Sequence, residues 1–230
     1  MSQAEEPETV IDVSGLDSNK LLRRLRDQES AKSDAISRIR LTNSGPSVEL
    51  IHGVGAFLRS NLLLECEFDL GDFVFFAGTM ADVRVAGDVG KSCAHSIASG
   101  SLLVRGNAGA YLAAFATGGY VAVLGKAGDR CGLGNSGAEM VVRGDVGDDA
   151  ACGMSDGVLV LGRGAGKNLG LGMTGGLILI RGQAESIAPD VKKVRLKDAD
   201  NLKTSLLLAR AGIKATGVEF TGYRPVGGVK

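Results

Sequence analysis

Tryptophan is absent, histidine occurs twice and proline four times in 230 residues, and aromatics make up only 4% of the chain. A core must therefore be built from aliphatic side chains, and imidazole chemistry has only His52 and His95 to draw on. Neither has a ligand partner at i+2 or i+4, so each reads as a core or loop histidine. Twenty-six basic residues balance twenty-six acidic ones. That leaves no basic footprint for nucleic acid. No apolar run reaches the ~18 residues of a membrane span. Residues 1–9 are acidic and lack the basic and apolar parts of a signal peptide, which points to the cytoplasm. Cys66, Cys93, Cys131 and Cys152 show no metal-ligand spacing and read as free thiols.

Glycine is what the chain has in excess, with 35 residues. Six of them, Gly71, Gly90, Gly109, Gly128, Gly147 and Gly166, recur every nineteen positions. Ten residues after an anchor stand Gly100, Gly119, Ala138, Gly157 and Gly176; sixteen after stand Gly87, Gly106, Gly125, Gly144 and Gly182, with Arg163 the exception. Between these columns lie five-residue apolar stretches, such as 101–105 (SLLVR), 120–124 (YVAVL) and 177–181 (LILIR). Each is too short for a helix and bounded by glycine, which reads as a strand between corners.

A nineteen-residue unit cannot hold a helix pair, and the leucine-rich pattern is missing. The unit that fits is one coil of a parallel β-helix. Coils ~4.8 Å apart give a rod of ~30 Å from six to seven coils. A left-handed hexapeptide helix favours multiples of six, so nineteen residues with glycine corners favour the right-handed form. The expected fold is an all-β, right-handed parallel β-helix solenoid with short flanking terminal helices.

Alternation with period two assigns the faces. In the strand stretch, Leu102, Val121, Met140, Leu159 and Ile178, and Val104, Val123, Val142, Leu161 and Ile180, point inward. In the stretch after the anchor, positions three, five and seven are expected inside, including Cys93, His95 and Ile97. Positions four and six, such as Ala94, Gly132, Gly134 and Gly153, are expected outside, and their small size suggests close approach of another backbone. Leu103, Ala122, Val141, Val160 and Leu179 form an outward apolar stripe. This stripe is the candidate interface, covered either by a partner or by the chain's own termini.

Three enzyme-like motifs dissolve in this register. Residues 153–157 (GMSDG) match a nucleophile elbow, but Ser155 shares a corner column with Ala98, Thr117, Ser136 and Thr174, and no helix is expected after it. Residues 132–137 and 170–175 match G-x-G-x-x-G, yet a strand follows each instead of the helix that would hold a pyrophosphate. Residues 87–92 end like a P-loop, but its opening glycine would have to be Val85, an inward residue. A hydrolase built on Ser155 is the competing function class. A secreted carbohydrate-active β-helix lacks an export signal, tryptophan and an outward carboxylate cluster.

Residues 1–61 read as a lead-in, 62–182 as the β-helix and 183–230 as a linker, helix and tail. The lead-in has a strand at 9–13, then a helix capped at Asp17 or Ser18 with Leu21, Leu22 and Leu25, and strand signals at 38–41 and 48–51. A second helix is expected from Asp198 or Asp200, with Leu202, Leu206 and Ala209 on its buried face and Gly212 at C′. It is expected to cap an end of the rod. Residues 217–220 look strand-like.

Residues 106–109 (GNAG), 129–132 (DRCG), 141–147 (VVRGDVG) and 170–176 (GLGMTGG) resemble the GXGXG domain that ends the large subunit of glutamate synthases. The same domain stands alone as a subunit in archaeal-type glutamate synthase and N-methylglutamate synthase. The likeness extends from Val10 to Gly182 and includes 40–43 (RLTN). It implies a right-handed β-helix without catalytic residues, cofactor or metal of its own. Its implied partners are a glutaminase-like subunit that releases ammonia and an FMN and iron–sulfur synthase-like subunit. The β-helical chain of formylmethanofuran dehydrogenase and of the related formyltransferase/hydrolase complex is similar in its coils and less so in its lead-in.

Overall fold

A computed structural model of the chain describes residues 8–30, 37–45 and 50–227. Its strands are β1 (Glu8–Asp12), β2 (Ser37–Thr42), β3 (Leu62–Cys66), β4 (Asp82–Val85), β5 (Ser101–Val104), β6 (Tyr120–Val123), β7 (Ser136–Val142), β8 (Asp156–Leu161), β9 (Leu177–Ile180), β10 (Val191–Val194) and β11 (Thr221–Pro225). Helix α1 (Ser18–Ser30) lies between β1 and β2, and α2 (Asp198–Arg210) between β10 and β11. All eleven strands join one sheet in the order β1-β2-β3-β4-β5-β6-β7-β8-β9-β11-β10.

From β3 to β9 the chain winds as a parallel β-solenoid of about six turns. Each strand pairs with the one nineteen residues on, as Leu102 does with Val121 and Val121 with Met140. A second ladder of single bridges runs Leu70, Val89, Ala108, Ala127, Val146, Ala165 and Ala184. The lead-in strands extend the same sheet, β1 pairing with β2 and β2 with β3, all parallel. The inward strand columns are buried as expected, with Leu102, Met140, Leu159 and Ile178 fully inaccessible.

The anchor glycines have a steric cause. A Cβ on Gly90, Gly147 or Gly166 would land on the carboxylate of Asp72, Asp129 or Asp148 in the preceding turn, and one on Gly109 or Gly128 would land on backbone. Those carboxylates are held there by their own hydrogen bonds: Asp72 accepts from the Lys91 N–H at 2.7 Å, Asp129 from Asp148 at 2.9 Å and Asp148 from Lys167 at 2.7 Å. His52 takes the same role one turn earlier, its Nδ1 accepting the Asp72 N–H at 2.9 Å under Gly71.

The stretch after each anchor departs from β geometry. Positions two, four and six have positive φ in turn after turn: Ser92, Ala94 and Ser96; Tyr111, Ala113 and Phe115; Arg130, Gly132 and Gly134. Their N–H groups bond alternately to the following and the preceding turn, as Ser92 does to Ala110, Ala94 to Val74 and Ser96 to Ala114. This alternating backbone turns side chains in pairs, so positions three and four face in, and five and six face out except for the buried Ala114. Ala94, Ala113 and Ala151, expected outside, are fully buried; His95 and Leu133, expected inside, are half-exposed, and Leu171 is exposed. Gly132, Gly134, Gly153, Gly170 and Gly172 suit this left-handed backbone, although column two, with the same sign of φ, carries Phe73, Tyr111, Arg130 and Asp149.

The C-terminal segment also differs from expectation. Helix α2 lies along the flank of β6 to β9, not across an end. Leu207, Leu208 and Ala211 pack with Phe220 onto Tyr120, Ala122, Val141, Val158, Val160, Leu177 and Leu179. Leu202 and Leu206, expected to be buried, are each 62% exposed. The helix ends as the sequence indicates: Gly212 has φ 72°, and the Gly212 and Ile213 N–H groups bond to Ala209 and Leu208 carbonyls. Residues 217–219 form a 3-10 turn, and the strand begins only at Thr221. In the lead-in, Asp17 accepts the Lys20 N–H at 2.8 Å and caps α1, whose Leu21 and Leu25 enter the main core. Of the strand signal at 48–51, residues 48 and 49 lie outside the described residues, and Leu50 and Ile51 are not in a strand.

Candidate functional site

The solenoid offers its outward columns as functional surface, and they differ in what covers them. On the sheet, one column reads Val10, Arg40, Glu65, Arg84, Leu103, Ala122, Val141, Val160 and Leu179 in register. After the exposed Val10 its first half is polar and paired, with Arg40 to Glu8 at 3.0 Å and Arg84 to Glu65 at 3.1 Å. Its second half is the apolar stripe, and α2 covers it: Ala122, Val160 and Leu179 are fully buried and Val141 is 1% exposed. Leu103, at the boundary, is half-buried. The candidate interface is therefore an internal contact of this chain. The Tyr120 hydroxyl fixes it by donating to the Leu207 carbonyl at 2.9 Å, and Arg210 lies over the Tyr120 ring at 4.0 Å. Burial pushes the Tyr120 phenol up to about 12.

The face made by columns five and six is uncovered. Phe57 and Phe115 are 49% and 52% exposed there, and Phe73, in column two, is 46% exposed. Phe76 lies between Phe57 and Phe73, with ring centroids 5.6 and 5.8 Å away, and stacks on His95 at 5.0 Å. His95 in turn contacts Phe115 at 5.5 Å. Partial burial lowers the His95 pKa by disfavouring the charged imidazolium. From Phe57 to Gly172, columns five and six contain no charged residue. Period-two alternation hides this cluster by sending His95 inward. The signal that reveals it is the concentration of phenylalanine just after the Gly71 anchor.

The residues of the enzyme-like motifs sit apart. Ser155 is exposed and followed by β8, not by a helix. It stands three turns from the His95 position, ~14 Å along the axis. The two G-x-G-x-x-G segments run into β7 and β9. The Lys91 N–H of the P-loop look-alike bonds to Asp72. Cys66, Cys93 and Cys131 are buried thiols, and Cys152 is half-buried. Burial pushes Cys93 and Cys131 up to about 12, and Cys66 and Cys152 also upward. Among the described residues no group of three or more His, Cys, Asp or Glu is arranged to hold a metal ion, and no helix is long and apolar enough to cross a membrane.

Stacked nineteen-residue turns with glycine columns and side-chain-bonded corners define a repetitive β-solenoid protein. The chain belongs to the GXGXG motif family, whose model matches residues 52–211. No curated protein matches it. The family match begins at His52, which opens the ladder of side-chain-bonded corners, and ends with α2. The flanking helix thus falls within the matched region, although the resemblance carried by the sequence motifs stops at Gly182.

Proposed function

We propose that this chain is a structural subunit of a glutamate-synthase-type amidotransferase complex, holding a glutaminase-like subunit and an FMN-dependent synthase-like subunit together. The domain occurs in glutamate-synthase-type proteins, which is compatible with a subunit role. The observation that carries the reading is how the polar side chains of the rod are used. Asp69, Asp72, Asp88, Asp129, Asp145 and Asp148 each accept a backbone N–H from the next turn. These carboxylates hold the stack in shape instead of converging on a substrate. The FMN and the iron–sulfur cluster then belong to the synthase-like partner, and the ammonia-releasing chemistry to the glutaminase-like one.

The test is reconstitution with those two subunits from the same organism. A single complex containing all three chains, seen by size-exclusion chromatography with light scattering, is the expected result, with no glutaminase or esterase activity in this chain alone. Esterase activity in the isolated chain that disappears in Ser155→Ala would establish the hydrolase reading instead.

A further inference from the structure

We propose that the outward face of α2 is a self-association surface on which a second copy of this chain docks, the two helices packing antiparallel about a two-fold axis. The inference stands independently of the partner subunits named above.

A helix lying on a sheet ordinarily turns one face to the core and a charged one to water. Helix α2 has two apolar faces instead. Thr204, Leu207 and Leu208 are buried against the sheet, while Leu202 and Leu206 on the opposite side are each 62% exposed. With Val218 at 74%, they are the three most exposed large apolar side chains among the described residues. The Gly217 N–H bonds to the Ser205 hydroxyl at 2.9 Å, which sets Val218 beside the helix.

This face is its own complement. Asp198, Leu202, Leu206 and Arg210 follow one another at intervals of four, so they form one continuous row on the helix surface. Turning a second copy end over end places Leu202 against Leu206 and Asp198 against Arg210, each pair occurring twice. Rows of this spacing interdigitate in the commonest class of helix packing, at a crossing angle of about −50°. A contact that uses the same patch on both partners is the isologous kind that closes as a dimer. Ala199 and Ala209, also exposed, exchange places about the same axis and are small enough to let the helices approach closely.

The charges at the ends of the row are available. Asp200 and Lys203 are engaged within the chain, with Arg224 at 3.0 Å and Glu139 at 2.9 Å. Asp198 and Arg210 are exposed, and among the described residues neither makes an ion pair. Arg210 lies over the Tyr120 ring at 4.0 Å. That contact uses the face of the guanidinium and leaves N–H donors at its edge for a carboxylate. Arg195 and Lys197 precede the helix and lie outside the row. The helix dipoles, antiparallel in such a pair, act in the same sense as the charges. The row is only ~18 Å long, and one helix pair buries less than the ~800 Å² per partner of a standard interface. The dimer is therefore weak, with a dissociation constant between ~1 μM and ~1 mM.

The experiment is sedimentation velocity on the full chain across that concentration range, with Leu206→Asp, Asp198→Arg and Arg210→Glu beside the wild type. Thermal unfolding of each dilute protein checks that it is folded. The wild type is expected to pass from monomer to dimer as concentration rises, and each variant to associate at least tenfold more weakly. An equimolar mixture of the Asp198→Arg and Arg210→Glu chains is expected to regain the dimer, because both ends of the row then again oppose unlike charges. If Arg210→Glu unfolds through loss of its contact with Tyr120, Asp198→Arg alone decides the charge pairing. A wild type that stays monomeric throughout overturns the proposal and leaves the face to another subunit or to solvent. Wild-type association in Leu206→Asp or in Asp198→Arg, a folded mixture that stays monomeric, or growth of the wild type beyond a dimer would each overturn it as well.

Discussion

Asn135 shows how a single residue repairs an irregular turn. Its column otherwise holds Ile97, Ala116, Met154 and Met173, all buried. The turn it occupies is also the one in which Ala138 replaces the positive-φ glycine seen at Gly100, Gly119, Gly157 and Gly176. Asn135 is fully buried; its Oδ1 accepts the Gly137 and Ala138 N–H groups at 3.1 and 2.8 Å, and its Nδ2 donates to the Ala138 carbonyl at 3.0 Å. Asn135→Leu is expected to lower stability by ~2–3 kcal/mol in urea titration, because it leaves buried backbone groups unpaired. Adding Ala138→Gly is expected to recover part of the loss by letting this turn adopt its neighbours' conformation.

Titration at buried residues gives a second expectation at this scale. The thiols of Cys93 and Cys131 and the phenol of Tyr120 all have pKa values raised by burial, each to about 12. The native state thus keeps protons that the unfolded chain has already lost. This contribution is fully present below the ordinary thiol and phenol range and disappears as pH rises towards 12. Tm is expected to fall steadily above pH 9, and Tyr120→Phe to flatten the part of the decline above pH 10. At pH 8, a thiol reagent is expected to reach Cys152 first and the three buried cysteines only on unfolding.

Among the elements, α2 separates what sequence pattern reveals from what it conceals. Its start near Asp198 and its stop at Gly212 are written in local chemistry: Asp200 accepts the Lys197 N–H at 3.0 Å and Gly212 supplies the left-handed residue. Its buried face is not, because Leu202, Leu206, Leu207 and Leu208 give the helix apolar residues on more than one side. Only the stripe it meets decides, and that places Leu207 and Leu208 inward. The strands were legible because one face is a continuous aliphatic ladder. The intervening stretch was not, because a period of two presumes a β backbone that alternating φ replaces. Val160→Glu is expected to destabilise the isolated chain by ~3 kcal/mol or more, since the carboxylate would be sealed under α2. Leu206→Glu, on the exposed side, is expected to leave Tm within a degree or two. Equal effects of the two substitutions on Tm would mean that α2 does not cover the stripe.

At the scale of the whole molecule, a solenoid is stable only if its last turns find substitutes for the neighbours they lack. The C-terminal end does so with side chains. Where earlier turns direct the N–H groups of columns two and six to carbonyls of the next turn, Asn168 donates to the Ser186 hydroxyl at 2.8 Å and Gly172 to the Asp190 carboxylate at 2.9 Å. The edge of β9 is taken by β11, antiparallel, with Tyr223 opposite Ile178. At the other end, α1 adds Leu21 and Leu25 to the main core that also holds Val13, Leu41 and Ile51. Because each turn contacts mainly its neighbours, the loss of a cover is expected to act locally. Removing residues 198–230 takes away both α2 and β11, baring the stripe over β6 to β9 and the β9 edge, while β3 and β4 keep the polar column that never needed a cover. Hydrogen exchange on the truncated chain is expected to show protection lost from β9 back towards β6 and retained in β3 and β4, together with reduced solubility. Uniform loss of protection along the rod would instead show that the turns unfold as one unit, with α2 stabilising the whole stack.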